Sequence, residues 1–261
     1  MSGASIPILV YHEVSPAPLA AFRRYAVTVR EFARQLAWLA ARGYQSIDME
    51  ALVGARTGGA TLPRRPVLIT FDDGFRGCAD HAVPLLQAHG FTAVFYLVAG
   101  LMGDRSRWMG GDAGVELPLM TWDQARALAN AGFQCGVHSM THPRLTQVET
   151  AERRTELLGA RCRVEDELGR PAAHFAYPYG AYNAEVRAAA AEAGYATACS
   201  TRAGLSGADD DLHALHRITV HGHDSMLDFA CRLHTGSGVR EALGRALRTA
   251  ARRLGGGPPR R

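Results

Sequence analysis

The sequence predicts one α/β domain whose parallel strands close into a barrel. Short β-rich runs alternate with longer helical ones along the chain, and strand–helix–strand repeated in this way implies crossover helices. The segment Val67–Phe71 (VLITF) is apolar throughout, as a strand covered on both faces must be. The 261 residues contain neither a long linker nor an internal repeat, and α/β barrels of about 200–250 residues are routinely single domains.

The elements follow in order. Ile6–His12 reads as the first strand. Val29–Arg42 places apolar residues at helical spacing and ends at Gly43, where a helix C-cap belongs. Tyr44–Ile47 and Val67–Phe71 are strands, Cys78–His89 is a helix stopped by Gly90, and Thr92–Val98 (TAVFYLV) is the next strand. A Gly-rich loop runs from Gly100 to Pro118. Thr121 caps a helix over Trp122–Ala131, and Gln134–Val137 is a strand. Val148–Leu168 reads as one long charged helix and His174–Tyr177 as a strand. Asn183 caps a helix to Ala193, and Ala196–Ser200 and Ile218–Val220 complete the strands.

Composition excludes several chemistries. All 29 basic residues are arginine, set against 25 acidic ones, for a formal charge of +4. Without lysine there is no Schiff-base enzyme, no P-loop nucleotide binder and no kinase. An apolar fraction of 47% with 21% charged residues is that of a globular protein with ample core. The five cysteines form no CxxC pair, which argues against a disulfide framework and a cysteine zinc cage alike. The N-terminal segment lacks a basic region and a long apolar run, so cytoplasmic residence is expected. No stretch approaches 18 apolar residues, so no membrane span is expected.

In such barrels chemistry collects at the C-terminal ends of strands, and three ends stand out. Thr70-Phe71-Asp72-Asp73-Gly74 places two adjacent carboxylates after a buried strand, able to face a metal and a substrate water separately. On Asp-Asp-Gly alone, a helix cap followed by a turn acid explains the pair equally well. His138-Ser139-Met140-Thr141-His142-Pro143 sets two imidazoles four apart, a spacing with which one metal is gripped. Asp plus two His with an open position is a catalytic metal pattern rather than a structural one. Phe175-Ala176-Tyr177-Pro178-Tyr179-Gly180 is a stiff aromatic loop, suited to lining a sugar groove or to a plain turn.

TFDDG, HSMTHP and YPYG, in this order, resemble the motifs of the polysaccharide deacetylase family, the NodB-type or family-4 carbohydrate esterases. The resemblance spans Ile6 to Phe229. It implies a distorted (β/α) barrel with a catalytic domain over residues 1–238, and removal of N-acetyl groups from an N-acetylated glycan. It also implies that Asp72 is the base and that Asp73, His138 and His142 hold one divalent metal ion, usually zinc. The backbone N–H of Tyr179, within the Tyr177-Pro178-Tyr179 turn, is the implied oxyanion donor.

The sequence departs from the common family pattern twice. The arginine usual in the third motif is replaced by Ala176, and a late Leu-x-His motif, the usual source of the general acid, is missing. Both departures resemble the poly-N-acetylglucosamine deacetylase branch, in which an N-terminal histidine takes the acid's place. His12 is therefore the candidate acid, with His221 and His223 as rivals; a core histidine bonded to Glu13 or to a backbone carbonyl is the plainer reading of His12. Arg217 can supply the charge that Ala176 lacks and orient Asp72, or can serve in a surface salt bridge.

Two other functions are compatible with the residues: hydrolysis of a small cyclic amide or imide at the same metal, and carbohydrate binding without catalysis. Residues 239–261 form a basic amphipathic segment with a Gly/Pro tail. It reads as a helix packed on the barrel or as a weak peripheral anchor to anionic membrane. There is no nucleic-acid motif, and nothing in the sequence sets an oligomeric state.

Overall fold

The computed structural model describes residues 5–110, 114–239 and 243–244. Apart from Val239, Leu243 and Gly244, the basic C-terminal segment and its membrane role lie outside the described residues. Its strands are β1 (Ile8–Tyr11), β2 (Glu13–Ser15), β3 (Ala26–Thr28), β4 (Gln45–Ile47), β5 (Pro66–Phe71), β6 (Val94–Leu97), β7 (Gln134–Val137), β8 (His174–Ala176), β9 (Thr197–Ala203) and β10 (Leu215–Thr219). The helices are α1 (Val29–Ala41), α2 (Met49–Arg56), α3 (Val83–Ala88), α4 (Trp122–Asn130), α5 (Thr150–Arg154), α6 (Ala160–Leu168), α7 (Ala184–Glu192) and α8 (Met226–Thr235).

Eight parallel strands run in the order β1-β10-β9-β8-β7-β6-β5-β4, and a further β1–β5 pairing closes the ring. β1 holds one edge of β5 from Leu68 to Phe71. On the other edge, β4 pairs with the first half of β5 and β6 with Thr70 and Phe71. The closed ring therefore has seven strands, with β4 outside it and β2–β3 forming a small separate pair. Among the described residues no helix is long and apolar enough to cross a membrane.

Strand alternation sorts the side chains. Val67, Ile69 and Phe71 face outward into a core shared with α1 and α4, together with Leu36, Leu128 and Phe95. Ile8, Leu68, Val94, Ala176, Cys199 and Leu215 face the lumen with Met49 and Leu52 of α2, which plugs the end where the strands begin. Each buried Ile, Leu, Val or Met among them stabilises by about 1.5–3 kcal/mol. Gly136 in β7 is required by this packing, because a Cβ there would lie 2.6 Å from the Tyr96 ring that fills the lumen.

Several expected elements differ in detail. α2 was not apparent in the sequence: it is short and contains Gly54, although Asp48 caps it by accepting from the Ala51 N–H. The helix expected over Cys78–His89 begins as a π-helical turn, Cys78–Ala82, before α3. The long helix expected over Val148–Leu168 is interrupted by another, Thr155–Gly159. Such insertions add a residue to a turn and re-aim the side chains that follow.

Candidate active site

The lumen parity of β5 carries from Leu68 through Thr70 to Asp72, and that of β10 from Leu215 to Arg217. The two strands thus bring a carboxylate and a guanidinium together near the catalytic end of the barrel. Arg217 donates from Nη1 to Asp72 Oδ1 at 2.7 Å and from Nη2 to Oδ2 at 2.6 Å. Nη1 also donates to Thr70 Oγ1 at 3.1 Å, and Nε to the Ser200 carbonyl at 2.9 Å. Arg217 is fully buried and Asp72 is 2% exposed, so the surface salt bridge considered for Arg217 is excluded. Burial pushes the Asp72 carboxyl up, but the Arg217 guanidinium, together with the nearby His138 and His12, outweighs it and holds the group below its ordinary range. Ala176, also lumen-facing, is too small to compete for this space.

Asp73 leaves the strand with φ 72°, turning its carboxylate out of the β5 alternation and away from Asp72. Its Oδ1 lies 3.3 Å from His138 Nε2 and 3.2 Å from His142 Nε2. One donor atom from each residue falls within 4.8 Å of the others, and all three side chains are buried. Separations near 3.3 Å are those of tetrahedral ligands with bonds of about 2.0–2.1 Å to one ion. His138 Nδ1 meets the Ala176 carbonyl at 2.7 Å, which fixes the tautomer and leaves Nε2 free to coordinate. Burial pushes the His142 imidazole below its ordinary range, favouring the neutral form that a metal takes. The residues present fit a divalent ion.

The loop that carries His142 is held by a residue the sequence analysis did not single out. Glu156, 4% exposed, accepts from the Met140 N–H at 2.8 Å, the Thr141 N–H at 2.9 Å and Thr141 Oγ1 at 2.6 Å. The π-helical turn Thr155–Gly159 aims this carboxylate inward. The available signal was a glutamate on the apolar side of the helix, in step with Leu157, Ala160 and Val164. Glu156→Ala removes the acceptor that all three donors share. It is expected to cost about 2 kcal/mol of stability and to weaken metal binding about 10–100-fold, read by chelator competition.

The third motif divides. Tyr177 does not line the groove as expected: it is buried, stacks on Tyr182 and donates its hydroxyl to the His213 carbonyl at 2.9 Å. Pro178 is buried as well. Tyr179, with φ 58°, is the aromatic of this turn that reaches the cleft, its ring centroid 4.7 Å from that of His142. Trp108, from the Gly-rich loop, stacks on His142 at 4.4 Å. A loop of that composition gave no sign that its tryptophan covers the site.

His12 directly follows β1 beside Asp72, whose N–H donates to the Tyr11 carbonyl at 2.9 Å. It lines the same cleft, of about 700 Å³, as Asp72, Asp73, His138, His142 and His221. His12 Nδ1 is buried without a hydrogen-bond partner, so the bond to Glu13 is not formed through that nitrogen. Burial lowers its pKa, and the carboxylates of Asp73 and Asp72 oppose that shift. His223 stacks on His221 at 5.3 Å and is not part of the cleft wall.

Residues 59–198, more than half of the chain, match the family described as polysaccharide deacetylase. The chain belongs to the polysaccharide deacetylase family. Members of this family are carbohydrate N-deacetylases, and the parallel seven-stranded barrel is their NodB-type fold. YxkH of Bacillus subtilis, itself named after the polysaccharide deacetylases, is 26% identical over 217 residues, covering 83% of this chain and 72% of that protein. A poly-beta-1,6-N-acetyl-D-glucosamine N-deacetylase of Escherichia coli is 25% identical over 250 residues, but the match takes in only 36% of that protein. Among solved structures, IcaB from Ammonifex degensii superposes with a TM-score of 0.72 at 25% identity, covering 84% of this chain and 93% of that one. The Streptococcus pyogenes deacetylase PplD superposes with a TM-score of 0.77 at 24% identity, covering 88% and 98%.

Glu13, next to His12, gives the region a pH dependence. Burial, with Asp80 and Asp73 nearby, pushes its carboxyl up to about 8. Between an unfolded pKa near 4.5 and about 8 the folded state keeps a proton that the unfolded chain loses. Stability from this group is therefore complete below the lower value and lost as pH rises through the upper one, by at most about 1.4 kcal/mol per pH unit. Glu13→Gln should remove the slope, becoming progressively more stable than the parent from pH 5 to about 8 and levelling off above it in thermal unfolding.

Proposed function

We propose that the chain is a metal-dependent hydrolase that removes N-acetyl groups from an N-acetylated glycan. The observation that carries this is the convergence of Asp72, locked by Arg217, with the Asp73, His138 and His142 donors in one open cleft. When bound, a divalent ion supplies Lewis acidity, polarising an acetamide carbonyl and making bound water more acidic. Neutral imidazoles with one carboxylate suit zinc. Asp72 takes the proton of the attacking water: each of its oxygens accepts one Arg217 hydrogen and keeps a further lone pair. Arg217 fixes its orientation and keeps it ionised. The Tyr179 N–H is the candidate oxyanion donor, supported by its place on the cleft wall. His12 is the candidate donor of a proton to the departing amine, supported by its place on the cleft wall beside Asp72.

The site chemistry would also serve a small cyclic amide, but the cleft of about 700 Å³ is far larger than such a substrate. A carbohydrate binder without catalysis has no use for a buried, arginine-locked Asp72. The test is acetate release from N-acetylated oligosaccharides. It should vanish on chelation and return with the metal, and His138→Ala should lose the bound ion itself, read by elemental analysis. Turnover that survives complete removal of metal would sink the reading.

A further inference from the structure

The charge of the cleft differs from that of the body around it. Residues 1–238 carry 22 arginines against 24 carboxylates, a formal −2. Among the described residues, the only carboxylates lining the cleft are Asp72 and Asp73. The first is paired with Arg217, and the second faces the neutral histidine pair, where a bound divalent ion would more than offset its charge. Arg232, also on the wall, is paired with Asp224 at 3.1 Å. The charge this leaves uncompensated is that of two exposed arginines, Arg24 and Arg144, both lining the cleft.

Each of these arginines is carried on an aromatic ring that touches a site histidine. Arg144 lies 4.2 Å over Tyr179, whose ring is 4.7 Å from His142. Arg24 lies 5.5 Å over Tyr25, whose ring is 5.1 Å from His12. Stacking restrains the guanidinium, so less freedom is lost when its planar fork meets an anion. A neutral glycan has no group that calls for two such cations beside a metal. A carboxylate or a phosphate does, and the fork matches both bidentately.

We propose that the cleft selects an N-acetylated glycan that carries negative charge close to the acetamido sugar, recognised by Arg24 and Arg144. The proposal takes its substrate class from the deacetylase reading and adds the charge. Three probes separate the sources: chitotetraose is neutral, a tetrasaccharide of alternating N-acetylglucosamine and N-acetylmuramic acid carries carboxylates, and UDP-N-acetylglucosamine carries a diphosphate. Binding to the zinc-loaded full chain is measured by calorimetry, and acetate release is followed in parallel.

At least one anionic probe should bind about tenfold tighter than chitotetraose at low salt, with the preference shrinking as sodium chloride is added. The double variant Arg24→Gln/Arg144→Gln should reduce that preference to about twofold or less, whereas Arg24→Lys/Arg144→Lys, which keeps the charge but not the stacked fork, should fall between that variant and the parent. Matched thermal midpoints confirm that the variants are folded. Equal binding of all three probes by the parent chain, or a preference untouched in the glutamine variant, overturns the proposal. A charge preference in binding without acetate release from any probe sinks the deacetylase reading and leaves the selection for anions standing.

Discussion

Asp72→Asn is expected to lower kcat on an N-acetylated glycan by about 10³–10⁴-fold, the upper range for removing a general base. The substitution preserves shape and removes the group that accepts the proton. It should leave the metal in place, since Asp73, His138 and His142 supply the three donor atoms that lie together. The pairing with Arg217 complicates the result in a known direction. An asparagine can offer one oxygen to the guanidinium, but its N–H₂ meets the other N–H donor, and the buried arginine loses its counter-charge. Some loss of stability must accompany the loss of rate. The assay therefore needs three readouts: turnover, bound metal and thermal midpoint. Turnover lost with metal retained in folded protein assigns the base. Full turnover in this variant on every acetylated glycan the parent cleaves would remove Asp72 from that role.

Much of this site was legible in the sequence because its chemistry is local. Asp72 and Asp73 adjoin a buried strand that is apolar but for Thr70, and His138 and His142 sit four apart after the next strand but one. What could not be read was anything that depends on the lumen. The contact between Arg217 and Asp72 joins strands 145 residues apart in the chain, and it exists because parity turns both inward on strands that the β1 pairings bring close. Glu156 was hidden for a related reason: a π-helical turn, invisible in composition, directs it beneath the metal loop. Tyr177 was misplaced because alternation continues one residue past β8 and buries its ring, leaving Tyr179 to turn outward with a left-handed backbone. The expected strands at 134–137 and 174–177 were found to within a residue, whereas α2 fell below the length at which spacing is a signal.

The second large effect concerns the same pair from the other side. Arg217→Met is expected to destabilise the fold by about 3–5 kcal/mol, because it strands an ionised Asp72 in the lumen without compensation. Burial then acts on Asp72 with its main counter-charge gone and pushes the carboxyl upward, so the acidic limb of the pH–activity profile should move to higher pH. Arg217→Lys is expected to recover part of the stability and little of the orientation, since an ammonium supplies one point charge where the fork supplied two parallel bonds. The decisive comparison is a double-mutant cycle by urea unfolding with Arg217→Met, Asp72→Leu and both together. If the two groups matter to the fold chiefly as a pair, the double variant must be more stable than Arg217→Met alone, because it leaves no buried charge unpaired. Additive losses would show that Arg217 acts through its bonds to Thr70 and Ser200 instead, and the assignment of the arginine as the residue that positions the base would fall with them.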